Sequence, residues 1–183
     1  MMFSKTKKGV TMVEIMIVVA IISIVTTISI SLLGNGRTLR ELETNAREFA
    51  GVVREAQNYA LTGKAVTGSG IPATAVPCFY VLSWSGSTYT LTHVYKNSVS
   101  VPCDIGGPSA SVGVYTLKNG VTFNSASSFY FSLPHAKLSF NSGSVAAPLG
   151  KGGFSHTVCV YATDSASVLV NDYPSTAVCP VTP

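Results

Sequence analysis

An apolar run near the N-terminus constrains this chain more than any other feature. Between Val10 and Leu33, 17 of 24 side chains are apolar. As a helix, the run would be about 36 Å long, enough to cross the roughly 30 Å hydrocarbon core of a bilayer. A secretory signal has a shorter apolar stretch, of about 7–15 residues, followed by a cleavage site with small residues. No such site precedes Gly34, so we predict that the run stays in the mature protein as a membrane anchor.

The charges that flank this run predict its orientation in the membrane. The residues before it are basic, because they include Lys5, Lys7 and Lys8. The positive-inside rule keeps these lysines in the cytoplasm and sends the C-terminus across the membrane. Glu14 is the one charged residue within the run. It is either an interfacial residue that stabilises the helix N-terminus through the helix dipole, or a buried charge that needs a partner.

The order of residues at this end resembles a known signal. Lys7-Lys8-Gly9, then Val10-Thr11-Met12-Val13-Glu14-Ile15 and the apolar run, resemble the class III signal of type IV prepilins and pseudopilins. The resemblance implies that a prepilin peptidase cuts after Gly9 on the cytoplasmic side and N-methylates Val10. Glu14 then becomes the fifth mature residue, which in this family pairs with the N-terminal amine of a neighbouring subunit. The family more often has Phe or Met at the position of Val10.

The resemblance also implies partners and a location. The partners are the prepilin peptidase and methyltransferase, other pilin or pseudopilin subunits, and an assembly platform in the inner membrane. The chain would lie in the bacterial inner membrane with one span and its C-terminal domain outside. It would then enter an extracellular or periplasmic filament.

A second helical pattern follows the apolar run. Gly34-Asn35-Gly36 weakens the helix, so we expect a soft joint there. Beyond it, apolar residues recur at intervals of three and four and predict an amphipathic helix, with a stripe formed by Leu39, Leu42, Ala46, Phe49, Val53, Ala56 and Ala60. The sequence thus predicts four segments: a cleaved leader at 1–9, a transmembrane and filament-core helix at 10–33, its amphipathic continuation at 34–64, and a β-rich head at 65–183.

The head has the composition of an exported β domain. Only seven of its 119 residues are charged, and we expect eight strands between Pro77 and Asn171, with none between Phe140 and His156. Ser85-Gly86-Ser87 and Asp164-Ser165 are expected hairpin turns. We therefore predict an α+β fold in which the long N-terminal helix packs on an antiparallel sheet or small β-sandwich, as in pilins.

The four cysteines, Cys78, Cys103, Cys159 and Cys179, all lie in the head. None is in a C-x-x-C spacing, so zinc and thioredoxin-like redox sites are poorly supported. An even number of cysteines in an exported domain indicates two disulfides, although four cysteines allow three connectivities. We favour Cys78 with Cys103 and Cys159 with Cys179, because each pair brackets one predicted hairpin.

A looser resemblance covers most of the chain. Arg47-Glu48-Phe49-Ala50, Arg54-Glu55-Ala56-Gln57 and Gly63-Lys64-Ala65-Val66 are similar to the GspH/FimT branch of pseudopilins and minor pilins. Some members of that branch bind DNA through a C-terminal Gly-Arg-x-Arg loop. No arginine follows Arg54 here, so we do not expect nucleic acid to bind.

The sequence lacks the motifs of common enzymes. It has no G-x-S-x-G elbow, Walker loop or dinucleotide fingerprint, and Gly150-Lys151-Gly152-Gly153 is best interpreted as a surface loop. His93, His135 and His156 have no neighbour in sequence that suggests catalysis or a metal site, so we expect neither a cofactor nor a metal. We predict a non-enzymatic subunit of a type IV pilus-like filament. The alternatives are a type II secretion pseudopilin, a DNA-binding minor pilin for uptake, and a plain membrane-anchored binding module.

Overall fold

The computed structural model describes residues 10–64, 71–139, 144–162, 168–174 and 179. Within these residues, one helix, α1 (Met12–Thr62), precedes nine strands. The strands are β1 (Val76–Ser85), β2 (Thr88–Lys96), β3 (Ser109–Thr116), β4 (Thr122–Phe123), β5 (Ser127–Ser132), β6 (Lys137–Ser139), β7 (Ser144–Lys151), β8 (Phe154–Ala162) and β9 (Val168–Pro174). The predicted α+β class is confirmed. The chain divides into two compact units, residues 1–37 and residues 38–183.

Helix α1 runs through Gly34-Asn35-Gly36 without a break, as one long helix, and the soft joint expected at these residues stays a prediction. Each glycine costs a helix roughly 1 kcal/mol relative to alanine. That penalty is local, whereas helix propagation is cooperative and good helix formers flank the three residues. The penalty therefore weakens the helix at this point without ending it.

The strands form two antiparallel sheets. The first has five strands in the order β3-β2-β1-β5-β6, and the second has four in the order β4-β7-β8-β9. Ser85 pairs with Thr88 across the β1–β2 turn, and Gly86 takes a φ of +56°, as the tight turn predicted there requires. The other predicted turn, Asp164-Ser165, lies outside the described residues.

The sequence analysis expected no strand between Phe140 and His156. That prediction was wrong, because β7 lies there. It pairs with β8 along its whole length, from Ser144 opposite Tyr161 to Lys151 opposite Phe154. Its sequence, SVAAPLGK, is poor in the β-branched and aromatic residues that mark strands. Gly152 and Gly153, which are exposed and have φ of +57° and +84°, form the two-residue turn into β8, whereas Gly150 and Lys151 of the same tetrapeptide belong to the end of β7.

The second half of α1 supplies one wall of the core. Six of the seven predicted stripe residues are buried; the exception is Leu39, which is 45% exposed. Phe49 lies at the centre, with ring centroids 5.6 Å from Trp84 of β1, 5.2 Å from Tyr89 of β2 and 5.2 Å from Phe123 of β4. Because these partners come from both sheets, the helix and the two sheets share a single core.

Polar contacts fix the register of the helix against the strands. Asn45 is 2% exposed; its Oδ1 accepts a hydrogen bond from the Lys118 backbone amide at 2.8 Å, and its Nδ2 donates to the carbonyls of Glu41 and Lys118. The carboxylate of Glu48 pairs with Lys118 Nζ at 2.8 Å, and that of Glu41 pairs with Lys151 Nζ. These contacts join α1 to the β3–β4 connection and to the end of β7.

Candidate functional site

The start of α1 is built by Thr11, which the sequence analysis did not single out. Its Oγ1 accepts a hydrogen bond from the Glu14 amide at 3.3 Å, and its carbonyl accepts from the amides of Glu14 and Ile15. Thr11 is therefore the N-cap of the helix. The pattern Thr-x-x-Glu before an apolar run is the sequence signal that predicts such a cap.

The first half of α1 presents its apolar side chains to its surroundings. Residues Met12–Ser29 have a mean hydropathy of 2.4 and none of this stretch is buried within the chain. By length and composition the stretch is sufficient to cross a membrane. The exposed fractions of its large side chains range from 50% at Val18 to 79% at Met12. Water does not favour an exposed apolar surface of this extent, so lipid or other protein chains are its expected environment.

Most of the polar side chains in this stretch satisfy themselves within the helix. The hydroxyls of Ser23, Thr26, Thr27 and Ser29 each donate to the carbonyl four residues earlier, at 2.7–2.9 Å. A hydroxyl that bonds in this way carries little unmet polarity into hydrocarbon. The four hydroxyls are thus compatible with a membrane or filament-core environment.

Glu14 differs from these residues. It lies in the first turn of α1, and its carboxylate has no hydrogen-bond or ion-pair partner among the residues that the structure describes. Val10 precedes the helix and is 66% exposed. Of the predicted processing residues, the structure thus places Val10 and Glu14 at the start of the apolar segment, whereas Lys5, Lys7, Lys8 and Gly9 lie outside the described residues.

The head offers little that resembles a catalytic or metal site. In the described part of the chain, no group of three or more His, Cys, Asp or Glu residues could hold a metal ion. His135 is exposed, whereas His93 is 1% exposed and lies in the core between Tyr80 and Tyr95.

One open cleft, of about 440 Å³, lies beside the β7–β8 turn. Its lining includes the predicted glycine-rich tetrapeptide, together with Asn124 and Phe154. A phosphate cradle needs a strand, a loop and a helix N-terminus, and this turn connects two strands. Lys151, the cation at the turn, is held by the carboxylate of Glu41. The cleft therefore lacks the features of a phosphate site.

The cysteines form two disulfides in the structure. Cys78 of β1 is bonded to Cys103 in the β2–β3 connection, and Cys159 of β8 to Cys179. These are the two pairs favoured from the sequence, and the bonds join residues 25 and 20 positions apart. Disulfides of this kind persist in oxidising compartments, outside the cytoplasm.

Comparison with known families gives one match, on this same N-terminal segment. Residues 4–30 match the family model described as the prokaryotic N-terminal methylation motif. The match confirms the predicted resemblance to the class III signal of type IV pilins and pseudopilins, whereas the GspH/FimT branch is not confirmed. Comparison with curated proteins and with solved structures gave no match.

Proposed function

We propose that this chain is a structural subunit that assembles through its N-terminal helix into a type IV pilus-like filament. One observation carries the proposal: the methylation motif at residues 4–30 begins a helix whose apolar face stays exposed over Met12–Ser29. Such a helix is suited first to a bilayer and then to a bundle of identical or related helices. The head packs on the second half of α1, and none of Met12–Ser29 is buried within the chain.

Processing creates the charged group on which assembly depends. The peptidase cuts after Gly9 on the cytoplasmic side, and the new N-terminus at Val10 is methylated. Because the cut precedes the apolar run, the mature chain keeps its anchor and starts with a cationic amine. Methylation leaves that positive charge in place.

Glu14 is the proposed partner of that amine. A carboxylate and an amine attract strongly where water is excluded, and each offsets the desolvation of the other. Glu14 has no partner within the described part of its own chain, and a neighbouring subunit would provide one at its Val10. The Thr11 cap keeps Glu14 in the first helical turn, close to the level of Val10.

The arrangement of charges and cysteines supports one orientation. Lys5, Lys7 and Lys8 remain on the cytoplasmic side, so the head is exported. Two disulfides in the head suit an oxidising compartment. The partners are then the prepilin peptidase and methyltransferase, the assembly platform of the inner membrane, and other subunits.

Intact mass and filament incorporation test the proposal together. Wild-type protein from the native host is expected to begin at a methylated Val10, and Gly9→Ala to keep residues 1–9. Glu14→Ala is expected to be cleaved and inserted into the membrane normally but to be depleted from sheared filaments. Glu43→Ala, which removes an exposed carboxylate from the second half of α1, is the control and is expected to enter filaments. A wild-type chain that retains residues 1–9, or equal incorporation of the Glu14→Ala chain, would refute the proposal.

A further inference from the structure

The second half of α1 has a basic surface opposite the core. The arginine face, as we name it, consists of Arg40, Thr44, Arg47, Gly51, Arg54 and Asn58. These residues follow alternating intervals of four and three, so they lie in one row along the helix. All six are exposed, whereas Ala46, Phe49 and Val53 on the opposite side are buried. The row contains three cations and no carboxylate.

A repeated Arg-Glu dipeptide explains how this row arises. It occurs at 40–41, 47–48 and 54–55, so each glutamate lies about 100° around the helix from its arginine. The three glutamates contact their own chain: Glu41 pairs with Lys151, Glu48 with Lys118, and Glu55 accepts a hydrogen bond from the Tyr59 hydroxyl. The negative half of each dipeptide is thus used inside the subunit, while the positive half is directed outwards.

The outward arginines are only partly neutralised. Arg47 pairs with Glu43 at 2.5 Å, with side chains that are 70% and 44% exposed. Arg40 and Arg54 form no ion pair within the described residues. Gly51 lies between them, and a Cβ atom added to it would meet nothing within 4 Å. The fold of this subunit therefore does not require glycine there, and a partner backbone has room to approach closely.

We propose that the arginine face binds an acidic helix of a different subunit of the same filament. The proposal rests on the proposed function and names the class of neighbour that the subunit takes. Arg40, Arg47 and Arg54 recur every seven residues, about 10.5 Å apart along the axis. A second helix that packs along α1 and carries carboxylates at the same seven-residue interval would place one carboxylate beside each of these arginines.

A second copy of this chain fits the face poorly. Its described carboxylates on α1 beyond Glu14 are engaged within the subunit. The described aspartates, Asp104 in the β2–β3 connection and Asp172 on β9, do not lie on a helix. Two copies that met through this face would oppose arginine with arginine. Single-stranded nucleic acid is also disfavoured, since the face has no aromatic side chain on which a base could stack.

Photo-crosslinking in the native host tests this partner. A photoreactive p-benzoylphenylalanine replaces Thr44, at the middle of the face, in the full chain. Mass spectrometry then identifies the crosslinked peptide. The expected adduct is a second protein that carries its own N-terminal methylation motif, joined at a helix with Asp or Glu at seven-residue intervals. An adduct with a second copy of this chain, with nucleic acid, or with a protein lacking that motif overturns the proposal, as does the absence of any adduct.

Charge reversal provides the matched comparison. Arg40→Glu with Arg54→Glu is expected to lower the adduct yield about tenfold, and added salt to lower the wild-type yield. Lys96→Glu with Lys137→Glu makes the same change in net charge on strands β2 and β6 and is expected to leave the yield unchanged. Equal yields from the two double variants would overturn the proposal.

The same samples separate this inference from the function on which it rests. Their intact mass reports cleavage before Val10, and their filament fraction reports incorporation. If the chain is processed and incorporated but its adduct yield is unchanged by the arginine reversal, only the proposal for the arginine face is overturned. A chain that is never processed overturns the proposed function itself.

Discussion

At the scale of single residues, two buried polar side chains differ in their hydrogen bonding. Asn45 is fully engaged, because it accepts from the Lys118 amide and donates to two carbonyls. His93 is buried as deeply, yet neither of its ring nitrogens has a hydrogen-bond partner among the described residues. The first residue stabilises the docking of α1, and the second makes the stability of the head depend on pH.

Replacing Asn45 tests the first of these roles. Asn45→Ala removes the acceptor of the Lys118 amide and is expected to lower the free energy of unfolding by about 1–3 kcal/mol. Asn45→Asp keeps the acceptor but, when ionised, places a buried negative charge against the carbonyl oxygens of Glu41 and Lys118. Its loss should therefore be at least as large as that of Asn45→Ala at neutral pH, and smaller below the pKa of the new carboxyl, where the neutral acid can donate to a carbonyl. Urea unfolding of the full chain in detergent measures both. A loss for Asn45→Ala no larger than that for Thr44→Ala, on the exposed side, would contradict the interpretation.

The pH dependence of stability tests His93. Burial lowers the pKa of His93, and the side chains that face it are the rings of Tyr80 and Tyr95, which supply no negative charge. The unfolded chain therefore binds the proton more tightly than the folded chain does. Neutral His93 contributes fully to the stability of the head above the unfolded pKa of about 6.5, and this contribution is lost as the pH falls from there towards the lowered folded pKa. His93→Phe is expected to flatten the change in unfolding midpoint between pH 7.5 and 5.5.

His135→Gln is the control for that measurement, since His135 is exposed. It should retain the wild-type pH dependence. If His93→Phe and wild type lose the same stability on acidification, the titrating group lies elsewhere.

At the scale of elements, the accuracy of sequence prediction followed the strength of the local pattern. The stripe on α1 was predictable because a helix that covers a core repeats its apolar residues every three or four positions. Leu39 is the exception, because it precedes Leu42, where the core residues begin, and stays 45% exposed. Strand β7 escaped prediction because its small residues and Pro148 are held as a strand by pairing with β8, which is a tertiary effect.

The features of the candidate site and of the head likewise divide into those that a local sequence pattern predicts and those that depend on tertiary contacts. The methylation motif at residues 4–30 was predictable because the leader, the glycine, the glutamate and the apolar run are contiguous in sequence, whereas the roles of single residues within it stay predictions. The burial of His93 and the pairing of Glu41 with Lys151 depend on residues brought together by the two sheets, and no local pattern reports them.

The contrast between Phe49 and Leu39 tests the packing of α1. Phe49 is fully buried and contacts aromatic rings from β1, β2 and β4, so Phe49→Ala is expected to cost about 3–5 kcal/mol of unfolding free energy. Leu39→Ala, on the same helix and in the same predicted stripe, should change the stability by less than about 0.5 kcal/mol. Chemical unfolding of both variants measures the difference, and equal losses would mean that the core does not centre on Phe49.

At the scale of the whole molecule, the exposed apolar segment and the buried core lie in different parts of one chain. The core residues begin at Leu42, and the boundary between the two compact units falls between Arg37 and Thr38. None of the stretch Met12–Ser29 is buried within the chain. Residues 38–183 contain the core, so the membrane insertion and assembly that we propose for residues 10–37 place no demand on it.

This separation predicts that residues 38–183 fold without the anchor. The fragment should be soluble, should form both disulfides, and should melt within about 4 °C of the head of the full chain in detergent, because none of its core contacts has been removed. A shorter fragment of residues 65–183 is the control. It lacks Phe49, Val53 and the other core residues of α1, so it is expected to lose the cooperative transition and the near-ultraviolet circular dichroism of its packed aromatic rings. If the longer fragment also fails to fold, residues 10–37 contribute to the stability of the head, and the two roles are not separable along the chain.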